Sequence, residues 1–460
     1  MQDRVDKFQK MTAAPIKKLI TVLAIPTVLS MLVTAIYNAA DTFFIGKISG
    51  TTEEVTAAVG AAAIVFSLMA VVQACGFFFG QGSGTFLSRA LGDRNRESAE
   101  KMATFGFVSS FLFGAVIMIL GLIFTRPLAK MLAATDTIMP FAVRYMRFIL
   151  IGAPFMCGSF TLNNQLRFQG NAVIAMAGII SGALINVGLD ALFILGFKMD
   201  TDGAGLATLI GQATGFTILF FGSRTRDNVR VNVFKYRFDP ALLREVFRGG
   251  LPSLLRQGLS SLSVIALNFT AKNFGGDVSI AALGTASRVM GVCYSALLGF
   301  GQGFQPVCGF CYGAKKYDRV KEGFFFCLQV GTAFAIVVSA LIFIFARRIM
   351  GLFLADENVI FVGNMALKAQ SAAFLFVPTV AYTNMLLQTI GKVFPASLLA
   401  TARQGLFFLP VLFPLSVLFG VWGIVAAQPI ADALSFLLAV FFAVREVKIL
   451  IGLEASEKNK

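Results

Sequence analysis

The sequence predicts an all-α polytopic membrane protein, with about twelve transmembrane helices in two six-helix bundles related by an internal repeat. Hydrophobic residues make up 57% of the 460 residues, whereas soluble domains contain about 45–50%. Apolar stretches of about 20 residues recur along the chain, and that length crosses a bilayer as a helix. The alternating apolar and polar residues of a transmembrane barrel are absent.

Six apolar segments precede a polar stretch and six follow it. The first six lie at about 19–46, 55–82, 102–124, 139–166, 172–197 and 203–223, and the last six at about 250–273, 278–305, 323–346, 360–390, 394–419 and 422–445. The stretch between them, Arg224–Gly249, is basic and is the longest non-apolar stretch inside the chain. We therefore predict an N-terminal lobe over 1–223, a cytoplasmic linker over 224–249 and a C-terminal lobe over 250–460.

The two predicted lobes resemble each other in sequence. The segment Gly80-Gln81-Gly82 recurs as Gly301-Gln302-Gly303, and at the same offset Asn163 falls opposite Asn384. Repeated six-helix units are typical of secondary transporters, whose substrate site lies where the repeats meet.

The distribution of Lys and Arg predicts the orientation. Basic residues concentrate in the N-terminal tail, at 89–101, at 224–248 and in the C-terminal tail, and these segments share one side of the membrane. Cytoplasmic segments carry such an excess, so we expect both termini inside and a multi-pass protein of the cell inner (plasma) membrane. The net charge of +15 then needs no nucleic-acid partner.

Two carboxylates and one amide lie inside apolar segments of the first half. Asp190 follows Asn186 by four residues, which places both on one helix face, and Asp41 lies in the first apolar segment. Charges at membrane depth are costly and mark ion or substrate pathways. Their oxygens suit a small cation, and a buried pair of carboxylates can also bind a proton at physiological pH. The structural alternative is that each aspartate caps a broken helix or faces the aqueous mouth.

Two further features accompany these residues. Thr208 opens the sixth segment one turn after Ala204, so the hydroxyl of Thr208 and the carbonyl of Ala204 could add ligands, although threonine often bonds its own helix. Pro26 lies early in the first segment, where it removes a backbone hydrogen bond and creates a kink. That kink could be static or could move.

The second half contains the intramembrane charges Arg256, Arg288, Arg403 and Asp432. Ion pairing or a polar cavity wall explains them. The chain has no histidine, which excludes a histidine relay, and Gly80-Gln-Gly-Ser-Gly lacks the Gly-Lys-Ser/Thr of a phosphate-binding loop. We therefore expect a secondary active transporter rather than an enzyme, with no cofactor.

The order and spacing of these motifs resemble one known family. Gly80-Gln-Gly-Ser-Gly, Leu91-Gly92-Asp93, Asn186-x-x-x-Asp190 and Gly203-Ala-Gly-Leu-Ala-Thr208 are similar to the motifs of multidrug and toxic compound extrusion (MATE) transporters. The resemblance covers about 15–445, and Asp41 is similar to the acid of the bacterial branch whose acidic centre lies in the N-terminal lobe.

The resemblance implies a V-shaped pair of six-helix bundles that exports cationic amphipathic compounds by alternating access, in exchange for Na⁺ or H⁺. It implies an ion-coupling site, with possible Na⁺ binding, formed by Asp41, Asn186, Asp190 and Thr208 and completed by the Ala204 carbonyl. It also implies that Tyr37, Asn38 and Asn163 line the substrate cavity, and that Pro26 has a conformational role. The C-terminal lobe lacks the second acidic centre of some members.

Other functions stay open at this point. One alternative is a flippase for a lipid-linked precursor, which would need a basic cavity, and another is an exporter of a different small metabolite. A channel or receptor would need neither the repeat nor the paired aspartates. For partners we expect the lipid bilayer and small cationic molecules, and we expect a monomer.

Overall fold

The computed structural model describes residues 2–48, 51–225, 228–353 and 356–459, except for the side chains of 2–6, 38–42 and 52. These residues form fifteen α-helices and no strand. The first eight helices are α1 (Gln2–Ala13), α2 (Ile16–Ile45), α3 (Thr52–Gly92), α4 (Arg96–Ile123), α5 (Thr125–Met131), α6 (Met139–Phe168), α7 (Ala172–Asp190) and α8 (Asp200–Ser223). The other seven are α9 (Pro240–Gly313), α10 (Tyr317–Phe353), α11 (Glu357–Ala373), α12 (Val377–Thr389), α13 (Val393–Thr401), α14 (Phe408–Phe419) and α15 (Val421–Lys458).

Ten helical segments in the described ranges are long and apolar enough to cross a membrane. One of them, α9, has 74 residues and a non-helical Gly276 with φ of 59°, and at about 1.5 Å per residue it is long enough for two crossings. The predicted all-α polytopic membrane fold is thereby confirmed.

Helix ends follow from local sequence. Thr51 and Glu54 form a reciprocal capping box at the start of α3, and Asn95 accepts a hydrogen bond from the Ser98 amide at the start of α4. Such caps satisfy backbone amides that have no partner inside the helix. Gly170, with φ of 82°, ends α6 in the left-handed conformation, which glycine adopts without strain.

Packing divides the chain into two units. The first contains Met1–Gln9 and Leu29–Gly250, and the second contains Lys10–Val28 and Leu251–Lys460. The sequence predicts that all of 1–223 belongs to the N-terminal lobe, whereas Lys10–Val28 packs with the C-terminal residues.

Glycines of α9 explain this assignment of α2. A Cβ atom at Gly303 would lie 2.6 Å from the Ala24 Cα, and one at Gly299 would lie 2.7 Å from the Val28 Cα. Because glycine has no Cβ, the backbones of α2 and α9 approach within the distance that a side chain would occupy. The beginning of α2 is therefore held in the second unit.

The start of α9 packs in the first unit in the same manner. A Cβ at Gly82 would lie 2.3 Å from the Val246 carbonyl oxygen. Helix α9 begins at Pro240, so the last ten residues of the predicted linker are helical. The remainder is held as well, since the Val229 amide donates to Gln169 Oε1 at 2.6 Å and the Asn232 amide donates to Thr104 Oγ1 at 3.1 Å.

Equivalent hydrogen bonds reveal the repeat in three dimensions. The Asn163 amide donates to the Ala175 carbonyl, and 221 positions later (384 minus 163) the Asn384 amide donates to the Ala396 carbonyl. Residues with a positive φ recur at the same interval: Arg94 corresponds to Lys315, and Gly170 corresponds to Gly391. The predicted internal repeat is thus present in the structure.

One repeated position shows how the two cores diverge. The Thr161 hydroxyl donates to the Gly76 carbonyl at 3.3 Å, and its counterpart 221 positions later (382 minus 161), the Tyr382 hydroxyl, donates to the Leu297 carbonyl at 3.2 Å. The larger tyrosine fits because its ring packs against Gly331, which has no side chain. A Cβ at Gly331 would lie only 2.4 Å from that ring.

Candidate functional site

The candidate site is built on the contact between α7 and α8. Each helix contains a Gly-x-x-x-Gly motif, Gly178 with Gly182 and Gly211 with Gly215. A Cβ at Gly211 would lie 2.8 Å from the Gly182 carbonyl oxygen, and one at Gly215 would lie 2.9 Å from the Gly178 carbonyl oxygen. Such small-residue surfaces let membrane helices pack at close range. We refer to these four glycines as the glycine seam.

The glycine seam fixes the register of the two antiparallel helices. One turn beyond Gly182, the Asn186 amide nitrogen donates to the Thr208 hydroxyl at 3.2 Å. One further turn along α7 brings Asp190 to the level of Ala204, because each step toward the C-terminus of α7 is a step toward the N-terminus of α8. All four residues are at most 2% exposed, and the role of this group as an ion site stays a prediction.

The backbone changes form directly after Asp190. Helix α7 continues as a π-helical segment over Ala191–Gly196, and such wide turns occur often at functional sites. Gly203 of α8 packs against this segment, since a Cβ there would lie 3.1 Å from the Phe193 Cβ. One side of this irregular backbone thus packs against α8, whereas Leu192 and Leu195 on the segment are 47% and 50% exposed.

The site is rich in oxygen acceptors. Asp190 is fully buried and contributes a carboxylate, and Thr208 contributes a hydroxyl. The Asn186 side-chain oxygen is buried and accepts no hydrogen bond from any described residue. A buried acceptor of this kind is costly unless it meets a donor or a cation. Carboxylate, amide and hydroxyl oxygens are hard ligands that suit a small cation.

The remaining predicted residues of the first apolar segment lie on α2, and the structure describes the side chains of only some of them. The side chains of Asn38 and Asp41 lie outside the described residues, so their places in the site stay predictions. Tyr37 is described and is partly exposed.

Asn163 lies on α6 and is partly engaged elsewhere. Its amide nitrogen donates to the Ala175 carbonyl of α7 at 2.9 Å. This bond ties α6 to α7, the helix that carries Asn186 and Asp190. Its role in lining the substrate cavity stays a prediction.

Pro26 is buried within α2, in the part that packs with the second unit. The helix runs from Ile16 to Ile45 without interruption. Because proline lacks an amide proton, α2 has one hydrogen bond fewer one turn before Pro26.

Sequence reasoning missed two groups of residues. The glycine seam sets which α8 residue faces Asn186, and the two Gly-x-x-x-Gly spacings could have indicated it. Arg403 and Asp432, for which the sequence predicted ion pairing or a polar cavity wall without naming the partners, form a direct ion pair with Arg403 Nε 2.7 Å from Asp432 Oδ1. The spacing of the sequence does not predict that pair, because the two residues are 29 positions apart on different helical segments.

Similarity to known proteins identifies the family of this chain. The family model for MatE matches residues 26–192 and again residues 252–413, which together are more than half of the chain. The chain belongs to the MatE family. The double match agrees with the internal repeat, and the predicted family is confirmed. Members of the MatE family are transporters, so this protein is an integral membrane transporter and not an enzyme.

Individual relatives support the same assignment. The chain is similar to the multidrug export protein MepA of Staphylococcus haemolyticus (strain JCSC1435), with 26% identity over 430 residues that cover 91% of each chain. Its fold is similar to crystal structures of MATE in the bent conformation and in the straight conformation. Both comparisons have a TM-score of 0.89 and 23% identity; they cover 98% and 97% of this chain and 99% of each structure.

Proposed function

We propose that this MatE-family protein exports cationic amphipathic drugs and toxins by alternating access, in exchange for Na⁺ or H⁺. The buried oxygen cluster of Asn186, Asp190 and Thr208 on α7 and α8 is the observation that carries the proposal. The names of curated relatives, which are multidrug export proteins, support the export of drugs.

The coupling site would contain Asp41, Asn186, Asp190 and Thr208, with the Ala204 carbonyl as a further ligand. A carboxylate in this buried environment attracts any cation that reaches it, because the surrounding dielectric constant is low. A drug cation, Na⁺ and H⁺ would therefore compete for the same negative charge. Binding of the small ion neutralises the site and weakens binding of the drug, which is a coupling free energy between two ligands.

Three further residues complete the proposal. Tyr37, Asn38 and Asn163 would line the substrate cavity beside the ion site, and Pro26 would permit α2 to change its bend during transport. We also propose that the lobes 1–223 and 250–460 act as two bodies joined by the linker 224–249, and that the protein works as a monomer.

The membrane orientation is tested by labelling single cysteines in a variant from which the six native cysteines have been removed. With both termini cytoplasmic in the inner (plasma) membrane, a cysteine at Thr225 reacts from the cytoplasm and one at Asp200 reacts from outside. The reverse pattern contradicts the orientation and leaves the coupling site untouched.

The coupling proposal is tested by equilibrium binding of a fluorescent cation of the ethidium type. We expect rising Na⁺ or falling pH to displace the dye from the wild type, and Asp190→Asn or Asp41→Asn to abolish efflux while the protein stays in the membrane. Proteoliposomes with separate Na⁺ and pH gradients identify the coupling ion. If neither ion displaces the dye and both variants still pump, the acids are not the coupling site.

A further inference from the structure

A polar cavity lies wholly within the second unit, and no residue of α7 or α8 lines it. Its volume is about 400 Å³ including its open mouth, and its wall combines Arg256, Arg403, Tyr294, Asn384 and Gln404 with six aliphatic side chains. Small-molecule sites combine an apolar wall with a few polar groups in this way. The proposed coupling uses none of these residues.

One of the two arginines is already neutralised. Arg403 Nε donates to Asp432 Oδ1 at 2.7 Å, and the exposed side-chain fraction is 18% for Arg403 and 4% for Asp432. Gln428 also donates to Asp432 Oδ1, at 2.8 Å, and the Arg403 guanidinium carbon lies 4.7 Å from the centre of the Tyr294 ring. This ion pair is therefore a fixed, neutral part of the cavity wall.

The other arginine keeps its charge uncompensated. Arg256 forms no salt bridge with any carboxylate whose side chain the structure describes. A guanidinium stays charged in proteins, and an unpaired charge at membrane depth is costly. The cavity thus has a net charge of one positive unit, which a single negative charge on a ligand would balance.

Asn384 adds a buried acceptor to the same wall. It is 4% exposed, and its amide nitrogen donates to the Ala396 carbonyl at 2.6 Å. Its side-chain oxygen accepts no hydrogen bond from any residue that the structure describes. A buried acceptor without a donor carries a desolvation cost, which a ligand with an N–H or O–H group would relieve.

We propose that this cavity is a second ligand site and that it binds an amphipathic monoanion with a hydrogen-bond donor near its charged group. Arg256 pairs with the anionic group, for which the planar guanidinium offers two parallel hydrogen bonds. Asn384 accepts the hydrogen bond of the neighbouring donor, and the aliphatic wall and Tyr294 contact the apolar body. The site is independent of the proposed cation coupling and has the opposite charge preference.

The test uses dansylglycine, which has one carboxylate, a neighbouring sulfonamide N–H and an aromatic body, and its neutral amide as the matched ligand. Binding is measured by fluorescence with the full-length protein in phosphatidylcholine nanodiscs. We expect the acid to bind more tightly than the amide, and Arg256→Gln to weaken binding of the acid by ~10-fold while binding of the amide stays unchanged. Arg288→Gln, an exposed arginine of the same helix outside the cavity, should change neither affinity.

A second variant keeps the proposal falsifiable if Arg256→Gln does not fold. Leu298→Trp fills the cavity without changing its charge and should abolish binding of the acid. Equal affinity for acid and amide, or unchanged acid binding in folded Arg256→Gln or Leu298→Trp, overturns the proposal. Repeating the titration in phosphatidylglycerol nanodiscs distinguishes two sources of the anion. Competition by the lipid identifies a headgroup as the natural ligand, and its absence identifies a soluble molecule.

Discussion

Replacing Gly211 by alanine tests whether the glycine seam holds the candidate site together. The added Cβ would lie 2.8 Å from the Asn186 Cβ and 2.8 Å from the Gly182 carbonyl oxygen, whereas ordinary contacts begin at 3.4 Å. Neither neighbour can rotate away, because one is a backbone atom and the other is bonded directly to the backbone. Helices α7 and α8 must therefore separate by about 0.6 Å, the difference between these two distances.

That separation acts on both stability and the site. The Asn186–Thr208 hydrogen bond is 3.2 Å long, and a further 0.6 Å takes it beyond hydrogen-bonding distance. Overpacking of this kind costs about 1–3 kcal/mol. We expect Gly211→Ala to lower the thermal unfolding midpoint of the purified protein in detergent, and to weaken displacement of a bound dye by the coupling ion.

Gly188→Ala is the matched control. Gly188 lies on α7 between Asn186 and Asp190, and a Cβ there would meet no atom within 4 Å. Since alanine favours the helix over glycine by about 1 kcal/mol, the control should unfold at the wild-type midpoint or slightly above it. Equal midpoints for Gly211→Ala and Gly188→Ala would refute the reasoning about the seam.

Three further predictions concern α2, the buried ion pair and the end of α15. Pro26→Ala should restore a backbone hydrogen bond in α2 and reduce efflux while dye binding survives; efflux at the wild-type rate would make the proline a static feature. Arg403→Met should destabilise the second unit by about 3–5 kcal/mol because Asp432 stays buried without its partner. Adding Asp432→Leu to this variant should partly restore the thermal unfolding midpoint. An unchanged midpoint in the single variant would contradict the pairing. Hydrogen bonds from Lys321, which has the larger effect, and from Lys458 lower the Glu454 pKa from 4.5 to about 2. This carboxylate therefore stabilises the fold above pH 4.5 and loses that contribution as pH falls toward 2. The difference in unfolding midpoint between wild type and Glu454→Gln should shrink over that range, and a constant difference would refute the assignment.

Much of the fold was predictable because its determinants are local or periodic. Apolar length identifies membrane helices, and the offset of 221 positions between Asn163 and Asn384 recurs in their hydrogen bonds. The four-residue spacing of Asn186 and Asp190 already places them on one helix face. The bounds were less predictable, since the last ten residues of the predicted linker, 240–249, already belong to α9.

The sequence by itself determined that this protein is a repeated, all-α membrane protein with acids and amides inside its first apolar segments. Only the tertiary structure decided that Thr208 faces Asn186, that Asn163 gives its amide hydrogen bond to α7, and that Arg403 pairs with Asp432. Helical periodicity acts within one segment and is visible in the spacing of residues. The register between two helices depends instead on which surfaces can approach most closely, and between α7 and α8 the glycine seam sets that approach.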